Sequence, residues 1–180
     1  MKKLTLLRHA KSSWDDTVTR DFDRPLNDKG KRAAGAIGTF IKRNGITFSQ
    51  VLASPAVRVI ETLEHVEQAS GLSMEPRWDR KIYLASSVTL MDVLRGAGDD
   101  AEHVLMVGHN PGMEDLIFDL VPNDGSSSAR DAVEVKYPTA ALAELSLDIA
   151  NWEDIADNCG TLDRFTRPRD LDPELGPDYV

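Results

Sequence analysis

The 180-residue chain is 41% hydrophobic and 28% charged, the composition of one globular domain with a sizeable core. Its net charge of −9 argues against the broad basic face that general nucleic-acid binding requires, though not against a small basic pocket. A single cysteine, Cys159, excludes an internal disulfide and fits a reducing compartment.

Leu4 to Leu7 form a short apolar run that reads as a buried strand ending on Arg8 and His9. The run is too short for a signal-peptide core, and no stretch approaches membrane-spanning length, so the expected location is cytoplasmic. A polar, Asp-rich loop follows from Lys11 to Asp23. "RPLNDKG" then opens a helix with Asn27 as N-cap and Ala33, Ala34, Ile37, Phe40 and Ile41 at helical spacing, stopped by Asn44-Gly45. "SQVLAS" reads as a second strand. Ser54 as N-cap and Pro55 at the first helical position predict the next helix, which ends near Gly71. Residues 75–85 read as irregular or a short strand, and Val88 to Leu94 as a helix ended by Gly96 and Gly98.

"HVLMVGHNPG" repeats the opening pattern: an apolar strand, His109 at its end, then a helix with Asn110 as cap and Pro111 as first residue. "NDGSSSARD" has loop composition, while "AVEVKYP" and "AALAELSLD" alternate like two neighbouring strands. From about Asp163 the chain is charged and broken by Pro168, Pro173 and Pro177. The expected division is a domain over 1–162 and a C-terminal extension over 163–180, extended or partly disordered. Strands alternating with helices predict an α/β sandwich with a mainly parallel sheet, whose ligands sit beyond the carboxyl ends of the strands.

Three segments bring special residues to that edge: Arg8 and His9, then Ser54, Pro55 and Arg58, then His109. An arginine in a first helical turn opposes the helix dipole, and a bound anion there offsets the repulsion. His9 and His109 lack zinc-type spacing, and no metal or cofactor is expected; His65 and His103 read as surface or boundary residues. Two arginines and two histidines suit a tetrahedral oxyanion. Arginines fork onto phosphoryl oxygens, a neutral His can attack phosphorus, and a protonated His can donate to the charge that develops.

These segments resemble the histidine phosphatase superfamily, with its phosphoglycerate mutase-like fold. "LLRHAKSSW" is similar to its R-H-G/A signature, "ASPAVRVIET" to S-P-x-x-R-x-x-x-T, and "VLMVGHNPG" to V-x-H-x-P. "RPLNDKG" falls in the expected order, and "YPTAAL" resembles a late segment of the small SixA-type branch; only the chain after about Asn151 lies outside. The resemblance implies a three-layer α/β/α sandwich. It implies His9 as the nucleophile that becomes phosphohistidine, with Arg8, Arg58 and His109 binding the phosphoryl group and Ser12 beside them. His109 would also stabilise the transition state, and a backbone carbonyl would hold the second nitrogen of His9.

Several positions depart from the pattern. Ala10 stands for the commoner Gly, as is usual in the SixA-type branch; Lys11 stands for a Glu and Asp15 for an Asn of the mutase-like members. A carboxylate at Asp15 would repel a phosphate and is not placed in the site. The general-acid Glu of phosphomonoesterases and mutases has no counterpart in "WDRKIYLAS", where Asp79 and Tyr83 are poor substitutes. Asp16, Asp21 and Asp23 form the main competitor as an acid source, against the plainer reading of a solvated acidic loop. An alkoxide leaving group needs a proton, whereas imidazole departs neutral if its other nitrogen carries one. The sequence therefore leans toward a protein phosphohistidine substrate. A small-molecule phosphomonoesterase and a non-catalytic phosphate- or phosphoprotein-binding module are the alternatives. Nucleic acid and membrane are not expected partners.

Overall fold

The computed structural model describes residues 1–14 and 20–177. Strand β1 (Lys2–Arg8) shows how the sheet is sandwiched, because its side chains alternate between two cores. Leu4 and Leu6 enter one core with α3 (Ser87–Arg95), α4 (Gly112–Leu120) and α5 (Ser128–Val135). Leu7 enters the other with α1 (Asp28–Arg43) and α2 (Val57–Ser70). Strand β4 (His103–Gly108) splits the same way, with Val104 and Met106 on one side and Leu105 and Val107 on the other. A sheet buried on both faces needs such continuous apolar strands.

The six-stranded sheet has the order β3-β2-β4-β1-β5-β6, where β2 is Gln50–Ala53, β3 Arg77–Trp78, β5 Leu142–Leu147 and β6 Gly160–Thr166. Strands β1 to β4 run parallel, β5 is antiparallel to β1, and β6 is antiparallel to β5. The carboxyl ends of β1, β2 and β4 therefore meet at one edge. This is the expected three-layer sandwich with a mainly parallel sheet.

Two sequence-based expectations fail here. "AVEVKYP" is largely the helix α5: the Ser127 hydroxyl accepts from Arg130 N–H at 3.0 Å, Arg130 pairs with Glu134 one turn on, and Arg130 Nε donates to the Val121 carbonyl at 3.1 Å. Capping and anchoring outweigh the β-branched alternation, and Val135 is left 83% exposed. The hairpin partner of β5 is instead β6, so the division after residue 162 falls inside a strand. Gly160, Leu162 and Thr166 face inward from it, and the charged residues lie on the solvent side, where Arg164 Nη2 meets Glu144 at 2.9 Å. Pro168 and Pro173 start α6 (Pro168–Leu171) and a 3₁₀ turn (Pro173–Leu175) rather than breaking the chain. Leu175 then packs into the α1–α2 core. Asp178 to Val180, expected to end the extended tail, lie outside the described residues.

Candidate active site

Each candidate side chain is placed by the end of a strand. His9 follows β1, and its N–H donates to the Gly108 carbonyl at 3.0 Å, tying it to the end of β4. His109 follows β4, and Arg58 lies in the first turn of α2 after β2. His9, Arg58 and His109 are buried, with exposures of 7%, 2% and 3%. The two imidazole centroids are 5.2 Å apart.

Hydrogen bonding fixes both tautomers. Arg58 can only donate, and its Nε lies 3.3 Å from His9 Nε2, so that nitrogen carries a lone pair. The other nitrogen, Nδ1, donates to the Ala10 carbonyl at 2.7 Å. Likewise Arg58 Nη2 donates to His109 Nδ1 at 3.3 Å, and His109 Nε2–H donates to Ser54 Oγ at 2.8 Å. Burial is the main reason that both imidazoles are pushed down to a pKa of about 3. The Arg58 and Arg8 charges add to the effect. Both rings are therefore neutral at physiological pH, and His9 presents an unprotonated Nε2 inside a cationic cluster.

Arg8 completes that cluster. Its Nη1 donates to the Tyr137 carbonyl at 2.9 Å, while its Nε is buried without a partner among the described residues. A buried cationic donor without an acceptor is costly unless a water or an anion meets it. Among the described residues no group of three or more His, Cys, Asp and Glu side chains could hold a metal ion.

Among the described residues of the Asp-rich loop, Asp21 is the carboxylate that folds back onto the site. Its Oδ2 accepts from Arg58 Nη2 at 3.0 Å and from Tyr83 OH at 2.5 Å, and its carbonyl accepts from Arg58 Nη1 at 2.8 Å. Burial disfavours its charge, but the hydrogen bonds from Tyr83 and Arg58 outweigh burial and hold the carboxyl below its ordinary range. Tyr83 is pushed up, by burial and by Asp21, and its ring packs edge-on to His109 at 5.2 Å. Asp23 turns outward to Arg20 at 2.7 Å, and Asp79 caps the turn at Lys81. Asp15 and Asp16 lie outside the described residues.

Ser54 acts differently from its expected capping role, while Asn110 still accepts a first-turn N–H of α4 from one residue further out. Ser54 Oγ is committed to His109 and to the Ala56 N–H, so α2 begins at Val57 rather than at Pro55. Asn110 precedes a cis peptide to Pro111, accepts from Glu114 N–H at 3.2 Å, and donates to the Tyr137 carbonyl that also holds Arg8. Ser12 forms a backbone bridge with Leu26, and the described hydrogen-bonded cluster does not include its hydroxyl.

Thr62, to which the sequence reading assigns no role, is a positioning residue. Thr62 Oγ1 accepts from Ala10 N–H at 2.9 Å and donates to the Arg58 carbonyl at 2.6 Å. It thus steadies the peptide that orients His9 and the turn that carries Arg58. The T of S-P-x-x-R-x-x-x-T is the sequence signal for it, four residues beyond Arg58 on the same helical face.

Residues 4–79 match the model of the histidine phosphatase superfamily, branch 1. An uncharacterized protein of Mycobacterium tuberculosis is 32% identical over 164 residues, covering 91% of this chain and all of that protein. A solved structure from Nakamurella multipartita, provisionally named phosphohistidine phosphatase SixA, is 31% identical with a TM-score of 0.77, covering 93% of this chain and 96% of that one. The chain belongs to the histidine phosphatase superfamily. A second structure with the same provisional name, from Agrobacterium tumefaciens, is 28% identical with a TM-score of 0.75, covering 93% and 98%. Within this superfamily fold, the strand ends of β1 and β4 and the first turn of α2 carry the resemblance, and the structure joins them in one hydrogen-bonded group. No helix among the described residues is long and apolar enough to cross a membrane.

Proposed function

We propose that the protein is a cytoplasmic phosphatase that acts through a phosphohistidine on His9, and that its substrate is protein phosphohistidine. The observation that carries this reading is the fixed neutral tautomer of His9, with Nδ1–H on the Ala10 carbonyl and the Nε2 lone pair beside Arg58. In the first step Nε2 attacks phosphorus and the bond from phosphorus to the leaving imidazole breaks. That ring departs neutral when its other nitrogen is protonated. In the second step water attacks the phosphoryl group, the bond to Nε2 breaks, and phosphate carries away the remaining proton. Arg8 and Arg58 hold the oxygens, and Ser12, outside the hydrogen-bonded cluster, would join them only through a shift of its loop. His109 stabilises the charge that develops, taking up a proton more readily once a dianion lies beside it.

Asp21 supports the choice of substrate. Hydrogen bonds from Arg58 and Tyr83 keep its carboxyl ionised, so it holds no proton in reserve for an alkoxide. The same carboxylate favours a second reading. A phosphoryl dianion brought beside it would raise its affinity for a proton and make it a general acid for a small phosphomonoester. The Asp21→Asn variant separates the two. On the phosphohistidine reading, a phosphohistidine peptide is hydrolysed by wild type and variant alike, and a sugar phosphate by neither. Turnover of the sugar phosphate by wild type, lost by about 10²- to 10⁴-fold in the variant, would establish the phosphomonoesterase. His9→Ala abolishes turnover in both cases. A wild type that only binds phosphopeptide, as tightly as His9→Ala does, would be a binding module.

A further inference from the structure

His109 has one lone pair and two neighbours that can use it. Nδ1 lies 3.3 Å from Arg58 Nη2, and Nε2 lies 2.8 Å from Ser54 Oγ. Arg58 can only donate, so the lone pair stands at Nδ1 and the proton at Nε2. Ser54 is fully buried, and its Oγ accepts from His109 and from the Ala56 N–H at 3.3 Å. Its own hydroxyl hydrogen therefore has no acceptor among the described residues. A buried donor without an acceptor is costly. The atom beside it, His109 Nε2, becomes an acceptor as soon as it gives up its proton.

Arg58 decides between the two tautomers. Its Nε and Nη2 are parallel donors, the fork with which a guanidinium grips two oxygens. In this structure lone pairs occupy the fork, His9 Nε2 at Nε and His109 Nδ1 at Nη2, each at 3.3 Å. Both contacts are long for hydrogen bonds, and an oxyanion is the stronger partner for a guanidinium. A phosphoryl group that takes the fork leaves both imidazoles facing it. A lone pair suits His9, whose Nε2 then meets phosphorus. At His109 Nδ1 a lone pair would meet an oxygen that carries lone pairs of its own, and an N–H is needed there.

Two routes supply that N–H: a net proton, which makes His109 an imidazolium, or an exchange that protonates Nδ1 and strips Nε2. The charged and titratable groups around the ring are Arg58 from α2, Arg8 and His9 from the end of β1, Asp21 and Arg24 from the turn before α1, and Tyr83. Burial, chiefly, and the charges of Arg58, Arg8 and Arg24 oppose an imidazolium, while Asp21 favours it. The Ser54 hydroxyl separates the routes. An imidazolium keeps Nε2 protonated and leaves the Ser54 hydrogen unused, whereas the exchange gives that hydrogen its acceptor.

We propose that Ser54 is a positioning residue that turns His109 from an acceptor into a donor when a phosphoryl group enters, accepting from Nε2 in the free protein and donating to it in the complex. The proton on Nε2 leaves to water, one from water arrives at Nδ1, and Ser54 keeps its own, so the ring stays neutral. The proposal rests on the reading of the cluster as a phosphoryl site. It balances the proton that Nδ1 takes up there with one released from Nε2.

The test is NMR of histidine-¹⁵N-labelled protein near neutral pH, without and with tungstate, a tetrahedral dianion that carries no proton there. Ring nitrogens with and without a proton resonate far apart, and the His109 signals are those missing from His109→Gln. In the free protein Nδ1 should be bare and Nε2 protonated. With tungstate the two should exchange, Nδ1 protonated and Nε2 bare. Both nitrogens protonated in the complex, or neither changed, would overturn the proposal. Ser54→Ala should lose the exchange and bind tungstate about ten- to hundredfold more weakly, because Nε2 loses its donor. Ser54→Thr keeps the hydroxyl and should restore both. An alanine variant that exchanges and binds like wild type would overturn the proposal as well. Turnover is read separately, on a phosphohistidine peptide. Exchange in a protein that hydrolyses nothing would support the proposal and overturn the phosphatase reading. Turnover with unchanged nitrogens would overturn the proposal alone. Tungstate that does not bind at all would remove the phosphoryl site on which both rest.

Discussion

At the scale of single residues, the site is a chain of orientation that ends on one nitrogen. Thr62 holds the Ala10 peptide, the Ala10 carbonyl holds His9 Nδ1, and His9 Nε2 is left free beside Arg58. Thr62→Val keeps the shape of the side chain but leaves the buried Ala10 N–H without its acceptor, at a cost of about 1–3 kcal/mol. On the proposed mechanism the expected kinetic result is a fall in kcat of roughly ten- to hundredfold, because small displacements of the attacking group are expensive. KM should change little, and Thr62→Ser should restore turnover; steady-state kinetics and urea denaturation of the three proteins check both. The charged and titratable members of the site were legible in sequence because each is odd where it stands. Arg58 sits at the wrong end of a helix dipole, and His9 and His109 end apolar strands. Thr62 is unremarkable by that criterion, since a threonine within a helix has many uses. The fold-back of Asp21 was one of two readings of its Asp-rich loop; its partners Arg58 and Tyr83, 37 and 62 residues away, were not legible.

At the scale of elements, the segment that opens α1 serves as a backing plate for the loop that orients His9. Asn27 caps the helix, accepting from Gly30 N–H at 2.8 Å, and its own N–H donates to the Lys11 carbonyl at 3.0 Å. Gly30 lets the helix approach so closely that a Cβ there would lie 2.1 Å from the Lys11 carbonyl oxygen and 2.9 Å from its nitrogen. Both are backbone atoms next to Ala10, so the loop that orients His9 must move to admit a methyl group. Gly30→Ala is expected to cost about 1–3 kcal/mol in urea denaturation, against the usual helix preference for alanine, and to lower kcat as well. Gly35, on the same helix with open space around it, is the control: Gly35→Ala should stabilise by about 0.5–1 kcal/mol and leave kcat alone. Elements whose caps and periodicity agree were readable, as in α1, with Asn27 at one end and Asn44 at the other. Those in which propensity and context disagree were not. In α5, a β-branched run is made helical by Ser127 and Arg130, and in β6 charged residues mark the outer face of an edge strand rather than disorder.

At the scale of the whole molecule, the site's burial should be visible in the pH dependence of stability. His9 and His109 are both held at about 3, and His103 is also lowered, chiefly by burial. All three have an ordinary value of 6.5, so below that pH the unfolded chain binds more protons than the folded one. Their contribution to stability is therefore complete above about pH 6.5 and is progressively lost as pH falls toward 3. Asp21, whose carboxyl is also lowered, loses its contribution only below its ordinary 3.8, so it does not enter the interval between pH 7 and pH 5. The overall charge acts in the opposite sense. A net −9 at neutral pH shrinks as carboxylates protonate, relieving self-repulsion and favouring the compact state. A urea midpoint that falls between pH 7 and pH 5 therefore reports the buried imidazoles against the trend of the net charge. His109→Gln removes one of the three titrating groups, so its midpoint should fall less over the same interval. A wild-type midpoint that is flat or rising from pH 7 to pH 5 would mean that water reaches the rings and that His9 is not kept neutral by burial. The absence of a fall would thus remove the electrostatic basis for an unprotonated Nε2, whatever the substrate.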